Sequence, residues 1–193
     1  MAEHGNQRRY RPGIAVLVPL ALLASSAVVY QASNAAFSAT TTNGVNSWQT
    51  GSVAISDNDS NVAMFSVTGL KPGDTGTKCI VVTYTGTLNA AVKLYGTSYT
   101  DNGLGQYLDL SVQEGSGANA NCSDFVSATT LHSSTLDAFG TTSTSYATGV
   151  SSWAPAGGSN ATKTYRFVWT LQNNNGAMGK SSSLTFTWEA QNT

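Results

Sequence analysis

The chain has 193 residues, nine Lys and Arg against ten Asp and Glu, and a formal net charge of −1. Charged residues are only 10% of it, against about a quarter in an ordinary soluble domain, so its surface must be built mainly from hydroxyl, amide and backbone groups. Beyond the first dozen residues no stretch is basic enough to engage nucleic acid, which excludes that class of partner.

Arg8, Arg9 and Arg11 precede an uncharged run, GIAVLVPLALLASSAVVY, at residues 13–30. A basic n-region followed by an apolar h-region is the pattern of an export signal, expected as a helix over residues 1–35. Ser33 and Ala35 then stand at the minus-three and minus-one positions of a signal peptidase site, placing cleavage between Ala35 and Ala36. The alternative is an uncleaved anchor, since roughly 18 apolar residues lie at the lower edge of a bilayer span. Pro19 and the small-residue exit favour cleavage. The Arg8-Arg9 pair also suggests twin-arginine export, but Tyr10-Arg11-Pro12 and the Leu-rich run suit the general route better. Residues 36–193 then remain, with six bases, nine acids and a net charge of −3. That is one domain by length, large enough to bury about two thirds of the surface of its unfolded chain.

Period-two alternation dominates this part, and no window carries an apolar stripe at helical spacing. Val53 with Ile55 and residues 64–67 open the series of strands, and Gly69-Leu70-Lys71-Pro72-Gly73-Asp74 is a strong turn signal. Ile80, Val82 and Tyr84 alternate with Val81 and Thr83, as Val92 and Leu94 do with Lys93 and Tyr95. Leu108, Leu110 and Val112 follow, with Asp109 and Ser111 outward. Residues 127–161 are rich in Ser, Thr, Ala and Gly and read as a long polar loop, which Leu131, Leu136, Phe139 and Trp153 pin down in places. The clearest strands come last: Tyr165, Phe167, Trp169 and Leu171, then Leu184, Phe186 and Trp188. About eight strands predict an all-β fold, a two-layer β-sandwich of jelly-roll type behind the signal helix.

Little of this carries chemistry. His132 is the one histidine after the cleavage point, so a zinc site with two histidines one helical turn apart cannot be built. No Gly-x-Ser-x-Gly elbow accompanies it, and the context His-Ser-Ser-Thr reads as an exposed loop. Asp57-Asn58-Asp59-Ser60 resembles a fragment of a calcium loop but lacks the following Gly and the distant Glu, so a turn between strands is the plainer reading. The remaining acids are scattered singly, with no carboxylate pair indicated. Tyr99, Tyr107, Tyr146 and Trp153 are either a sugar-stacking face or local packing. Cys79 and Cys122, both in the exported part, are expected to form a disulfide rather than two free thiols. No catalytic residue, metal or cofactor is expected.

The segment AFSATTTNGVNSWQTGSVAISDND from Ala36, the following MFSVTGLKPGD, and the closing SLTFTWEAQ together resemble the TasA and camelysin family of exported bacterial proteins. The resemblance covers about residues 36–95 and the last ten. It implies a secreted jelly-roll subunit of extracellular matrix fibres, freed by a signal peptidase, with copies of itself and other matrix or cell-wall components as partners. It also implies that residues 36–50, with Phe37, Val45 and Trp48, form an exchangeable strand that enters the sheet of the next subunit. Camelysin-like members are also described as peptidases, for which this chain offers no zinc ligands. A secreted peptidase and a carbohydrate-binding module are the alternatives.

Overall fold

Strand follows strand in the order the alternation predicts, with few exceptions. The computed structural model describes residues 50–59 and 62–193. The signal segment, the Ala35–Ala36 cleavage point and the donor residues Phe37, Val45 and Trp48 lie outside the described residues. The strands are β1 Ile55–Asp57, β2 Thr75–Tyr84, β3 Ala90–Asp101, β4 Leu108–Ser116, β5 Val126–Thr135, β6 Ala161–Leu171 and β7 Ser182–Asn192. Among the described residues one α-helix, α1 Leu136–Thr142, stands between β5 and β6.

The strands form two antiparallel sheets, one of five in the order β1-β2-β6-β4-β5 and one of β3 with β7. Period two decides what lies between them. Ile80, Val82 and Tyr84 on β2, Leu110 and Val112 on β4, and Tyr165 and Phe167 on β6 share one buried cluster with Ala90, Val92 and Leu94 of β3. Register brings them side by side, Ile80 opposite Tyr165 and Val112 opposite Phe167. Across the layers, the rings of Phe167 and Phe186 lie 4.6 Å apart. The molecule is thus an all-β sandwich around one main core.

The predicted turn at Gly69–Asp74 is present, with the Lys71 amide donating to Asp74 Oδ2 at 2.7 Å. Gly73, at φ 87, takes the left-handed conformation that this turn needs. The predicted Cys79–Cys122 disulfide is formed, with the Cα atoms 5.3 Å apart. It ties β2 to the β4–β5 connection, which folds back over the outer face of the larger sheet. On the way the Thr164 hydroxyl donates to the Gly117 carbonyl, and the Arg166 guanidinium lies 4.7 Å from the centre of the Phe125 ring.

Three expectations are corrected. Residues 64–67 are not a strand; the segment from Val62 to Leu70 is irregular and lays Met64 and Phe65 against the core. Residues 127–161 are not one long loop, because β5 and α1 occupy most of their first half. The Thr135 hydroxyl caps α1 by accepting from the Ala138 amide at 3.2 Å. His132 therefore sits on a strand, half-buried, with its ring edge-on to Phe139 at 5.2 Å.

Candidate functional site: an open groove beside β7

Every sheet edge exposes backbone donors and acceptors that something must satisfy or blunt. At the free edge of β3 the segment after α1 does so. The amides of Ala90, Val92, Leu94 and Gly96 donate to the carbonyls of Pro155, Trp153, Val150 and Ser143 at 2.7–3.1 Å. The outer edge of β2 is covered piecemeal: β1 pairs with Val82–Tyr84, Asn58 Oδ1 accepts from the Val81 amide at 3.0 Å, and the Ala120 carbonyl accepts from the Cys79 amide at 3.0 Å. β5, the far edge of the larger sheet, is broken by two register shifts against β4 and clad in Ser and Thr, a form of edge that discourages pairing.

Among the described residues, none covers the outer edge of β7 in this way. The strand pairs with β3 on one side, and no described strand pairs with the other. From Ser182 to Trp188 it carries no charge, proline or glycine. Beside it runs a groove of about 620 Å³. β7 itself forms one wall, the irregular segment with Met64, Phe65 and Val67 forms the other, and Leu108, Leu110 and Trp169 line its floor.

The core is unfinished along this groove. The inward side chains of β3, Ala90, Val92 and Leu94, are at most 1% exposed. Their counterparts on β7, Leu184, Phe186 and Trp188, are only half-buried, and Val62 and Val67 on the opposite side are 68% and 51% exposed. Among the described residues, the indole nitrogens of Trp169 and Trp188 are buried without a hydrogen-bond partner. Trp169 is placed by β2: a Cβ at Gly76, its partner in register, would meet the indole nitrogen at 2.5 Å, so only glycine leaves room for the ring.

The remaining polar groups serve the fold. Glu114 is 5% exposed, and its Oε2 accepts from the Ser151 hydroxyl at 2.7 Å. The Tyr165 hydroxyl lies 3.3 Å from the Ser151 hydroxyl, and Lys93 donates to the Ser151 carbonyl at 2.7 Å. Burial is the main cause that pushes the Tyr165 hydroxyl far above the usual tyrosine range. Asp57 Oδ1 accepts from the Asp59 amide at 3.2 Å within the turn, and Asn58 Oδ1 is taken by the Val81 amide of β2. No cluster of three His, Cys, Asp or Glu among the described residues is placed to hold a metal.

Trp153, read from the sequence as a possible sugar-stacking residue, is instead part of the core at 8% exposure. Tyr99 packs on Gly140 and donates to Asp137 at 3.1 Å; burial above all, with the neighbouring Asp137 and Asp101 carboxylates, pushes its hydroxyl up to about 12. Tyr107 lies under the Lys180 ammonium, and Tyr146 donates to the Ala91 carbonyl at 3.1 Å.

Sequence reasoning found neither the groove nor its indoles, because Trp169 and Trp188 read there as ordinary inward residues. The usable signal was the bare, uncharged stretch of β7, unusual for an edge strand. No known protein-family model matches the chain, and no curated protein sequence matches it. No helix among the described residues is long and apolar enough to cross a membrane.

Proposed function

We propose that the chain is an exported structural subunit that polymerises outside the cell by strand addition. Residues 36–50 of one copy lie along β7 of the next, in the groove between β7 and the segment from Val62 to Val67. The edge of β7 beside an incompletely buried core carries this reading, since among the described residues β3 and β2 are covered and β7 is not. An added strand would satisfy the free backbone groups of β7 and cover Leu184, Phe186 and Trp188 together.

The sandwich is then a jelly roll completed in trans. A donor segment and an acceptor groove that are different parts of the chain make a heterologous, head-to-tail contact, which gives filaments where it does not close into a ring. Signal peptidase cleavage at Ala35–Ala36 frees the donor, so export precedes assembly. Copies of the chain are the principal partner, with matrix or cell-wall components around the fibre. The resemblance of residues 36–95 to exported matrix proteins supports the same reading, as does the scarcity of charge, which leaves little repulsion between packed copies.

The experiment is to express the full chain with its export segment, collect the secreted product, and compare it by electron microscopy and sedimentation with a version lacking residues 36–50. Fibres are expected from the first and monomers from the second. Monomers from both, across pH and concentration, would overturn the reading.

A further inference from the structure

We propose that the β4–β5 connection, residues 117–125, is a flap latched by the Cys79–Cys122 disulfide: reduction of that bond by a thiol lets the flap leave the sheet as one piece and bares the outer edge of β2 at Cys79. The flap and the edge it covers are independent of strand addition at β7.

The connection is organised by its own contacts. The Asp124 carboxylate accepts from the amides of Ala118 and Asn119 at 2.8 and 3.0 Å, the Asn119 carbonyl accepts from the Cys122 amide at 2.8 Å, and the Cys122 carbonyl accepts from the Phe125 amide at 3.2 Å. Such bonds travel with the segment. The sheet holds it differently, by the bridge, by the Cys79 amide donating to the Ala120 carbonyl at 3.0 Å, by the Thr164 hydroxyl donating to the Gly117 carbonyl, and by Arg166 against the Phe125 ring. The bridge alone among these is covalent; the neutral hydrogen bonds are ones that water replaces at little net loss. Gly117 stands at the entry with φ at 135°, a region that glycine crosses freely, so the backbone can turn there.

Cys79 belongs to the outer face of the larger sheet, in register with Arg166, yet it is 1% exposed. The flap, seated on it through the bridge and the Ala120 carbonyl, supplies that cover. Cys122 is half-buried between the exposed Asn121 and Ser123, so its sulfur is the one that a thiolate approaches. Attack there forms a mixed disulfide with Cys122 while the S–S bond breaks, and Cys79 leaves as a thiolate that takes a proton from water. A second reagent thiol then displaces Cys122, which ends as a thiol, and the two reagent thiols end as one disulfide. Two electrons have passed to the protein. With the covalent tie gone, the segment regains the freedom that the bridge had removed, and the edge of β2 loses the carbonyl that covered the Cys79 amide.

Hydrogen exchange and alkylation of the full chain, before and after treatment with dithiothreitol at neutral pH, test this. The amides of Cys79 and Val81 point to the outer edge of β2, so those of Ile80 and Val82 point to β6. Reduction is expected to speed exchange at Cys79 by at least about a hundredfold and to leave Ile80 within about threefold of its former rate. Iodoacetamide should then label Cys79 within roughly threefold of the rate at Cys122, since both thiols stand open. Cys79→Ala combined with Cys122→Ala should give the same exchange pattern at positions 79 and 80 without any reagent. An amide at Cys79 that stays protected after reduction, or a Cys79 thiol that stays unlabelled, would overturn the proposal, because the flap then remains seated without its latch. So would loss of protection at Ile80 together with Cys79, which is unfolding of the sheet and not release of a flap.

Discussion

Ser151 holds a backbone conformation that side chains rarely adopt, with φ at 94°, at a cost on the order of 1 kcal/mol. Its hydroxyl compensates by donating to Glu114 and accepting from the Trp153 amide at 3.2 Å. Glu114→Ala is therefore expected to lower stability by about 2–4 kcal/mol, since it empties a buried site and strands two hydroxyls. Glu114→Gln keeps an acceptor and should lose less than half as much; urea unfolding of the two variants checks the order. His132 supplies a pH dependence. Burial lowers its pKa below the ordinary 6.5, although the Thr135 carbonyl, 3.1 Å from its Nε2, raises it in part. The unfolded chain then takes up the proton more readily than the folded one, so stability falls as pH drops through about 6.5 and levels off below the folded value. His132→Gln should flatten that slope in unfolding curves recorded from pH 7 to about 5. Asp124, held low first by the Ala118 and Asn119 amides, acts in a more acidic window. None of these roles was legible in the sequence. Glu114 stood as one scattered acid and His132 as a loop residue, because partners 37 residues away in Ser151, and a ring on α1, are set by folding.

At the scale of elements, β2, β3, β4, β6 and β7 were readable because each has one inward face of large apolar residues. β5 was not. Its only large apolar residues are Val126, which is 65% exposed, and Leu131, and two register shifts disturb its alternation against β4. Residues 64–67 erred the other way. Their alternation is real, yet the β2 edge is already taken by β1, Asn58 and the β4–β5 connection, so they pack as irregular chain. The disulfide bears on the same connection. It closes a separation of 43 residues, which the chain-entropy account values at up to about 4 kcal/mol. Replacing Cys79 and Cys122 by Ala should lower the melting temperature by roughly 10 °C for a domain of this size, a shift that calorimetry would resolve. The same protein treated with reductant should melt close to the double variant.

For the molecule as a whole, the sequence made the class plain, because composition and alternation are summed over many residues. It left the open edge hidden, because whether β7 has a neighbour depends on where every other segment goes. Scarcity of charge has a consequence at this scale. With a net charge of −3 on residues 36–193, a polymer of the proposed kind should have a threshold that shifts less than about threefold between roughly 0.05 and 0.5 M salt, over which exposed charges become strongly screened. A steep dependence in sedimentation would point to an ionic joint. The clasp at the start of the sandwich has a mechanical meaning. Ser52 exchanges hydrogen bonds with Thr87 at 2.8 Å through its amide and its carbonyl, Thr85 donates to the Ala54 carbonyl, and β1 then pairs with β2. In a filament joined through residues 36–50, tension enters each subunit at Thr50 and runs along β1. Those bonds are then strained in parallel, as in shear, rather than peeled one at a time. β2 passes the pull to β6 along ten paired residues and, through the disulfide, to the β4–β5 connection.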